Sequence, residues 1–384
     1  MRRRLPAPFT EAGSGGWHGS WNGTLFFMQT KNDQLQARIY FLDYARIFAF
    51  TSVLIGHLFN KDLEELAANQ EVHVLFRQLA GAIHYICAFG GAGVVVFFIT
   101  SGYIITHVIR NEAPVDFIIR RIFRIYPLFI FATITELSLA AATQNTVFPA
   151  SRELIPRLLL IGDFTGIPYG LGGVEWTLRI ELLFYIFMTI LKAAGLLRQE
   201  KSIPAFLFLV TLGVFTLPTF PNSFEWTDGY FNIFFPFLII GVLFYHLENF
   251  GLRSWSFTFF VAAIFLGTLL RTQALQPKLI GNNFELIALF TFWALWLFRK
   301  RMQGHLVVRT LSDMTYAVYL FHLWSWAYLG QFVEKYGVGF IPDRLQRLIL
   351  LLAFCLLATK TVEKYGIKLG RFAGRKLNGR AHGA

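Results

Sequence analysis

The chain has 384 residues, of which 55% are apolar and 15% are charged, and it contains 43 Phe and 9 Trp. This composition excludes an ordinary soluble domain and indicates a polytopic membrane protein. The net charge of +12 does not indicate a nucleic-acid-binding protein, because the basic residues are spread over the loops between apolar runs. Cys87 and Cys355 form no CxxC motif, so we predict neither a disulfide framework nor a metal site.

Residues 1–37 are rich in glycine and lack the pattern of a signal peptide, so we predict a disordered cytoplasmic tail. Met28 is an alternative start, because every recognisable feature follows it. The remaining chain contains about ten apolar runs that approach the roughly 20 residues needed to cross a bilayer. We place these runs at 41–59, 88–108, 122–142, 177–195, 204–220, 231–247, 255–270, 283–299, 313–330 and 346–364.

The predicted fold is therefore all-α, a polytopic transmembrane helix bundle. Roughly two thirds of the 35 Lys and Arg residues fall on the side that holds both termini. Because Lys and Arg accumulate in cytoplasmic loops, both termini are predicted to be cytoplasmic. We assign residues 38–366 to one membrane domain and residues 367–384 to a basic cytoplasmic tail. Asn60 to Cys87 is predicted to be a solvated outer loop without chemistry.

The first apolar run carries Asp43, Arg46 and His57. Ionisable groups inside a membrane are costly, so they indicate a functional site by default. Eleven residues separate Arg46 from His57, which places both on nearly one face of a helix, roughly 16 Å apart. Asp43 lies three residues before Arg46 and is expected to pair with it. A purely structural ion pair is the alternative for Arg46.

Two further motifs follow in the second and third runs. Ser101 and Gly102 form a step inside the second run that is expected to open the helix backbone or to line a cavity. Arg121 and Arg124 stand beside Arg120 at the cytoplasmic end of the third run. Snorkelling side chains are the alternative explanation, but three guanidinium groups at one mouth favour an anionic, phosphate-bearing ligand.

The fourth and ninth runs add an acid and a histidine. Glu175 and Arg179 are spaced for a salt bridge at the start of the fourth run. Glu181 lies deeper and needs another partner, for which His57 is a candidate. His322 lies near the middle of the ninth run, where a hydrogen bond to a neighbouring helix is the alternative to a catalytic role.

Together these motifs resemble integral-membrane acyltransferase family 3, whose members O-acylate bacterial surface polysaccharides and related molecules. The resemblance extends from about Arg38 to Tyr365 and is carried, in order, by FLDYAR with His57, VVFFITSGYII, RRIFRIYP, WTLRIELLFY and the segment from Tyr316 to His322. Two positions depart from the family pattern. Arg179 stands where a small polar residue is usual, and Leu182 stands where a second acid is common.

The resemblance implies an O-acyltransferase that moves an acyl group, with acetyl as the expected group, from acyl-CoA to a hydroxyl of a cell-surface or lipid-linked glycan. His57 is then the expected general base, with a covalent acyl-histidine as the alternative. Arg46, held by Asp43, is expected to stabilise charge on the thioester oxygen or to bind the donor. Glu181 and His322 are expected to orient His57 or to bind the acceptor.

The donor is acetyl-CoA or another acyl-CoA, and no tightly bound cofactor is expected. Arg121 and Arg124 are expected to hold the CoA phosphates, and Ser101 is assigned to the same donor site. The expected location is the bacterial cytoplasmic membrane, with membrane lipids as partners. A transporter or flippase is the alternative, since intramembrane ionisable groups also mark ion pathways. Paired halves typical of many transporters are not evident in the sequence.

Overall fold

The computed structural model of the protein describes residues 38–222, 227–279, 281 and 283–381. Within these ranges every regular element is a helix, which confirms the all-α prediction. The first half contains α1 (Tyr40–Leu54), α2 (Asn60–Ala68), α3 (Val74–Cys87), α4 (Gly91–Ile109), α5 (Pro114–Gln144), α6 (Ser151–Leu158), α7 (Gly162–Thr165) and α8 (Glu175–Ala193). The second half contains α9 (Ile203–Thr216), α10 (Tyr230–Asn249), α11 (Ser254–Leu275), α12 (Phe284–Leu297), α13 (Leu306–Phe321), α14 (Trp324–Tyr336), α15 (Asp343–Ala358) and α16 (Lys364–Ala381).

Six continuous helical stretches in the described ranges are long and apolar enough to cross a membrane, so the chain is a multi-pass membrane protein. Two shorter apolar helices, α9 and α12, accompany them. The count of ten spans stays a prediction. The six stretches are Tyr40–Ala68, Val74–Ile109, Pro114–Gln144, Tyr230–Asn249, Ser254–Leu275 and Asp343–Lys376.

The structure differs from the sequence prediction in the segment from Asn60 to Cys87. This segment is not an irregular loop but a hairpin of the helices α2 and α3. On α3, Nε of Arg77 donates to the carbonyl of Ala67 in α2 at 3.2 Å. Nδ1 of His84 lies 3.2 Å from the carbonyl of Asn60, the first residue of α2. These two residues contact the partner helix, whereas Glu64, Glu65 and Gln78 are exposed, as they would be in a solvated loop.

Two other segments also differ from their predicted form. The ninth predicted span is divided into α13 and α14, which meet at His322 and Leu323. The basic segment after residue 366 continues the last helix as α16, which packs along α5. The predicted tail of residues 1–37, and with it Met28, lies outside the described residues.

Glycines allow α4 to pack closely at the centre of the bundle, where it contacts α1, α10 and α12. A methyl group added at Gly102 would collide with the backbone carbonyl of Leu238 on α10. One added at Gly241 would collide with the carbonyl of Ile99 on α4. Small residues at such crossings let helix backbones approach closely, as is typical of membrane proteins. Because α1 also packs against α13, the first and ninth predicted spans lie side by side.

Candidate active site

A pair of histidines lies where α1 and α13 end. His57 Nδ1 is 2.9 Å from His322 Nε2, and the two rings are nearly parallel, with centroids 5.2 Å apart. His322 is fully buried, whereas His57 is exposed. The contact joins residues that are 265 positions apart in the chain. One member of the pair is thus accessible to a substrate, and the other lies behind it.

The hydrogen-bond partners of His322 define which of its nitrogens carries a hydrogen. Nδ1 of His322 lies 2.8 Å from the carbonyl oxygen of Tyr319 and 3.2 Å from that of Val318. Carbonyl oxygens only accept hydrogen bonds, so Nδ1 carries the hydrogen and Nε2 of a neutral His322 is an acceptor. His57 then donates from Nδ1, which leaves its own Nε2 unprotonated. That tautomer of His57 presents a basic nitrogen.

The basic nitrogen faces a second carbonyl. Nε2 of His57 lies 3.1 Å from the backbone oxygen of Phe89. An unprotonated Nε2 gains nothing from this contact, but a protonated Nε2 donates a hydrogen bond to it. The carbonyl of Phe89 thus becomes a hydrogen-bond acceptor for His57 once the ring takes up a proton, which suits a group that removes a proton from a substrate.

Unusual backbone conformations create this geometry. His57 lies in a π-helical turn, Ile55–Phe59, and such turns are frequent at functional sites. Phe89 and Gly90 both have positive φ, at 52° and 70°, in the break between α3 and α4. Phe89 is not a glycine, so its left-handed conformation stores strain. A side chain at Gly56 would collide with Cys87 and Gly90, so glycine is needed for the close approach.

Asp43 and Arg46 lie toward the other end of α1. Their side chains are 3.7 Å apart, which confirms the predicted i, i+3 pair. Asp43 also accepts a hydrogen bond of 2.7 Å from the hydroxyl of Ser312 on α13. The pair is therefore fixed to the same two helices that carry the histidine pair, with Asp43 buried and Arg46 partly exposed.

Glu181 has partners other than the one predicted. Its Oε1 accepts hydrogen bonds from Ser101 at 3.0 Å and from Tyr185 at 2.5 Å. His57 instead contacts His322, so the predicted Glu181–His57 contact does not form. Glu181 lies more than one helical turn inside α8 and faces Ser101, ten residues into α4. The Ser101–Gly102 step does not open the helix, because α4 is continuous through it.

Arg121 and Arg124, hereafter the arginine pair, have no carboxylate within ion-pair distance among the described residues. Neither side chain forms a hydrogen bond or ion pair with another described residue, and the buried Nε of Arg121 is unsatisfied. The neighbouring Arg120, by contrast, forms an ion pair of 2.8 Å with Glu112. Unpaired guanidinium groups next to paired ones are an arrangement suited to an external anion.

An apolar cleft of about 390 Å³, including its open mouth, lies between the Asp43–Arg46 pair and the histidine pair. On α1 it is lined by residues between Arg46 and His57, and on α13 by residues between Ser312 and His322. The four hydroxyl groups in its lining form hydrogen bonds within the protein; Tyr319, for example, accepts one from Thr177 at 2.7 Å. The lining consists of Ala49, Phe50, Val53, Gly93, Val94, Phe97, Thr177, Leu178, Thr315, Tyr316 and Tyr319.

Arg179 stands where the family pattern has a small residue, and partners on two neighbouring segments accommodate its side chain. It forms ion pairs with Asp163 and, at 3.3 Å, with Glu175, which confirms the predicted i, i+4 pair. It also stacks 4.3 Å from the ring centre of Tyr169. Burial and the hydrogen bond to Asp163 raise the pKa of Tyr169, so it remains a neutral donor. Arg179 thus holds the α7 segment on α8.

Sequence reasoning identified both histidines but missed the carbonyl of Phe89. A backbone oxygen leaves no residue-type signal. The available hint was Gly90, because a glycine between two apolar helical segments often marks a backbone break.

Fold and site define an all-helical, multi-pass membrane protein in which two histidines from distant parts of the chain are in contact. The chain belongs to acyltransferase family 3: the family's sequence profile, described as an acyltransferase domain, matches residues 39–360. It is therefore an acyltransferase, which confirms the predicted enzyme class over the transporter alternative.

Two relatives are similar to most of the chain. Nodulation protein 10 of Rhizobium leguminosarum bv. viciae is 26% identical over 318 residues, covering 73% of this chain and 81% of the relative. An O-acetyl transferase of Shigella phage Sf6 is 24% identical over 340 residues, covering 84% of this chain and 94% of the relative. No solved structure matches the chain.

Proposed function

We propose that the protein is a membrane O-acyltransferase that moves an acetyl group from acetyl-CoA to a hydroxyl of a cell-surface or lipid-linked glycan. The observation that carries this proposal is the 2.9 Å contact between His57 Nδ1 and His322 Nε2. With Nδ1 as the donor in this contact, Nε2 of the exposed His57 ring is unprotonated and is the nitrogen proposed to accept the hydroxyl proton. Similarity to a protein named an O-acetyl transferase supports acetyl as the group transferred.

In the proposed reaction, His57 Nε2 removes the proton of the acceptor hydroxyl as its oxygen attacks the thioester carbonyl. The new C–O bond forms, the C–S bond breaks, and the proton passes from His57 to the departing sulfur of CoA. During the step, the Phe89 carbonyl accepts a hydrogen bond from protonated Nε2, while His322 accepts one from Nδ1. The alternative route, in which His57 carries the acyl group covalently, uses the same nitrogen.

The donor is proposed to bind at the arginine pair, whose guanidinium groups would hold the CoA phosphates. Arg46, held by Asp43, would contact the donor nearer the cleft or stabilise charge on the thioester oxygen. Ser101 and Glu181 would fix the donor end of the site through their mutual hydrogen bond. The apolar cleft has the character needed to take the uncharged arm that connects the phosphates to the thioester.

We further propose that residues 38–366 form one acyltransferase domain with about ten spans in a bacterial cytoplasmic membrane. With both termini cytoplasmic, the arginine pair would face the cytoplasm, where acyl-CoA is made, and the histidine pair would face the outer side. The acyl group would therefore cross the membrane within the protein, and membrane lipids would surround the site.

The proposal is tested by the mass of the cell-surface glycan in a strain that lacks the gene. The strain receives either the wild-type protein or the His57→Ala variant, expressed to equal levels. We expect a mass increase of one acetyl group per modified unit with the wild-type protein only, because the variant lacks the proton acceptor. An equal increase with both proteins would exclude His57 as an essential base.

A further inference from the structure

A largely buried cluster of charges joins α5, α6 and α8 and takes no part in the proposed reaction. Arg157 on α6 forms an ion pair of 2.7 Å with Glu136 on α5 and another of 3.2 Å with Glu175, the first residue of α8. The side chains of Arg157 and Glu136 are 13% and 18% exposed, and that of Glu175 is fully buried. Buried charges are costly unless each is compensated, so this arginine fixes three helices relative to one another.

The cluster also holds the backbone of residues 170–174, hereafter the turn before α8. Oε2 of Glu136, the oxygen that pairs with Arg157, accepts a hydrogen bond of 3.0 Å from the backbone N–H of Leu171. A side chain at Gly170 would overlap the guanidinium group of Arg157, so this group lies directly against the turn. Leu171 and the two glycines after it have positive φ, at 51°, 69° and 91°. Because Leu171 is not a glycine, its left-handed backbone is strained and persists only while these contacts hold it.

The turn before α8 contacts the helix break that carries His322. A side chain at Gly172 would lie 2.6 Å from Cβ of Leu323, so the backbone of the turn packs closely on the residue after His322. The carbonyl of Val174 accepts a hydrogen bond of 3.1 Å from the hydroxyl of Tyr319. Tyr319 in turn provides the carbonyl that lies 2.8 Å from Nδ1 of His322. A displaced turn would therefore disturb both the chain at His322 and the group that fixes its ring.

We propose that Glu136 and Arg157 are positioning residues for the histidine pair: they hold the turn before α8, which keeps His322 in the orientation that sets the tautomer of His57. The inference rests on the proposed function, because it takes His57 to accept the proton and His322 to orient it. Glu136 and Arg157 act through backbone contacts and not at the reacting atoms.

The first experiment measures the rate of glycan acetylation per amount of folded protein, in the strain that lacks the gene. We expect Glu136→Ala to lower this rate at least about tenfold, because small displacements of a catalytic group have large effects on rate. Glu136→Gln should stay within about twofold of the wild type, since its amide oxygen can still accept hydrogen bonds from Leu171 and Arg157. A wild-type rate in Glu136→Ala would overturn the inference.

Glu248→Ala is the matched control. Glu248 on α10 likewise accepts hydrogen bonds from two residues, Tyr103 at 3.0 Å and Trp296 at 2.7 Å, and forms an ion pair of 2.7 Å with Arg299. None of these partners belongs to the turn before α8 or to the histidine pair. The control should keep its rate within about twofold of the wild type, because separate sites act independently. Equal losses in Glu136→Ala and Glu248→Ala would mean a general loss of packing and would contradict the inference.

The tautomer of His57 provides a readout that a general loss of stability does not change. ¹⁵N NMR of the purified full-length protein, labelled at histidine, distinguishes protonated from unprotonated ring nitrogens. Spectra are recorded at about pH 8, where an unperturbed imidazole is neutral, and His57 is assigned by the signals missing in His57→Ala. We expect one tautomer, with Nε2 unprotonated, in the wild type and a mixture of both in Glu136→Ala. An unchanged single tautomer in Glu136→Ala would overturn the inference, and this test needs no glycan.

His322→Ala separates a failure of this inference from a failure of the proposed function. If His322→Ala keeps the wild-type rate, the proposed role of the histidine pair is wrong. If it loses activity but Glu136→Ala does not, only the role of the turn before α8 is wrong. In the double variant, Glu136→Ala should add little to the loss caused by His322→Ala; losses that multiply would contradict a shared mechanism.

Arg157→Lys replaces Glu136→Ala should the latter not fold. A loss of rate of about threefold is then expected, because one ammonium group does not reproduce the fork with which a guanidinium group pairs with two carboxylates. A wild-type rate and an unchanged His57 tautomer in Arg157→Lys would overturn the inference.

Discussion

At the scale of single residues, the site is a chain of hydrogen-bonded groups in which each donor and each acceptor is defined. The carbonyl of Tyr319 determines which nitrogen of His322 carries a hydrogen. His322 in turn determines the tautomer of His57. Phe89 completes the chain on the other side of His57. A neutral imidazole thus has the orienting position that a carboxylate occupies in a Ser-His-Asp triad.

This arrangement predicts the effect of replacing His322. In His322→Ala, Nδ1 of His57 loses its acceptor, so the ring is no longer held in the tautomer with an unprotonated Nε2. We expect kcat to fall about 10² to 10³-fold while KM for acetyl-CoA stays within about twofold, because the donor is proposed to bind at the arginine pair. Steady-state kinetics of thiol release in the presence of the acceptor measures both quantities.

His246→Ala is the matched control for this variant. His246 is also buried, and its Nδ1 lies 3.0 Å from the carbonyl of Val242, four residues earlier, as His322 does with Val318. His246 contacts neither the histidine pair nor the arginine pair, so its replacement should reduce stability without a specific loss of kcat. Equal losses of kcat in both variants would mean that His322 is only a packing residue.

At the scale of helices, the central helix α4 combines a polar contact with close packing in two consecutive residues. Ser101 donates its hydrogen bond to Glu181 on α8, and Gly102 lies against the backbone of α10. The motif therefore joins three helices at one level of the bundle. Its glycine is needed for steric reasons, because the space for a side chain is occupied by the Leu238 carbonyl.

We predict that Gly102→Ala separates α4 from α10 and lowers stability by about 1 to 3 kcal/mol. Gly213→Ala on α9 is the control, because nothing lies within 4 Å of the added methyl group there. Alanine is the better helix former, so the control should be unchanged or stabilised by up to about 1 kcal/mol. The midpoint of thermal unfolding of the purified proteins in the same detergent measures both. A midpoint that falls equally in the two variants would argue against the steric explanation.

A second close contact between helices supports the arginine pair. Gly366, Gly370 and Gly374 lie at four-residue intervals on α16 and face Pro127, Phe123 and Asp116 of α5. The C-terminal helix α16 thus packs against the segment of α5 that carries Arg121 and Arg124. The basic residues that the sequence assigned to a tail belong to this supporting helix.

At the scale of the whole molecule, the proposed reaction requires a defined orientation in the membrane. The arginine pair must be accessible to CoA from the cytoplasm, and His57 must be accessible to the glycan from the other side. The distribution of Lys and Arg provides the independent argument for this orientation.

We predict that a green fluorescent protein fused after residue 384 or inserted after residue 301 fluoresces, because the distribution of Lys and Arg predicts that both sites are cytoplasmic. Alkaline phosphatase, which is active only outside the cytoplasm, should be active when inserted in the loop after Tyr336. The converse fusions serve as controls. Phosphatase activity at residue 384 would place the C-terminus outside and contradict the proposed path of the acyl group.

Much of the architecture was predictable from the sequence, but some of it was not. Apolar runs indicated the long helices correctly, since a backbone in lipid must satisfy its hydrogen bonds internally. The α2–α3 hairpin was missed because exposed charged residues such as Lys61, Glu64 and Glu65 are equally typical of a solvated loop. The break at His322 was missed because hydropathy does not detect a two-residue interruption within an apolar run.

The sequence by itself determined the family, the membrane-spanning character and the residues on which a site could be built. The physical reason is that Asp43, Arg46, His57 and His322 are costly inside apolar helices and so are visible against their surroundings. Only the tertiary structure decided which of them meet. The packing of α1 on α13 joins His57 to His322 across 265 residues and leaves Glu181 to Ser101. Such contacts depend on the distance and rotation between helices, which the spacing of residues along one helix does not specify.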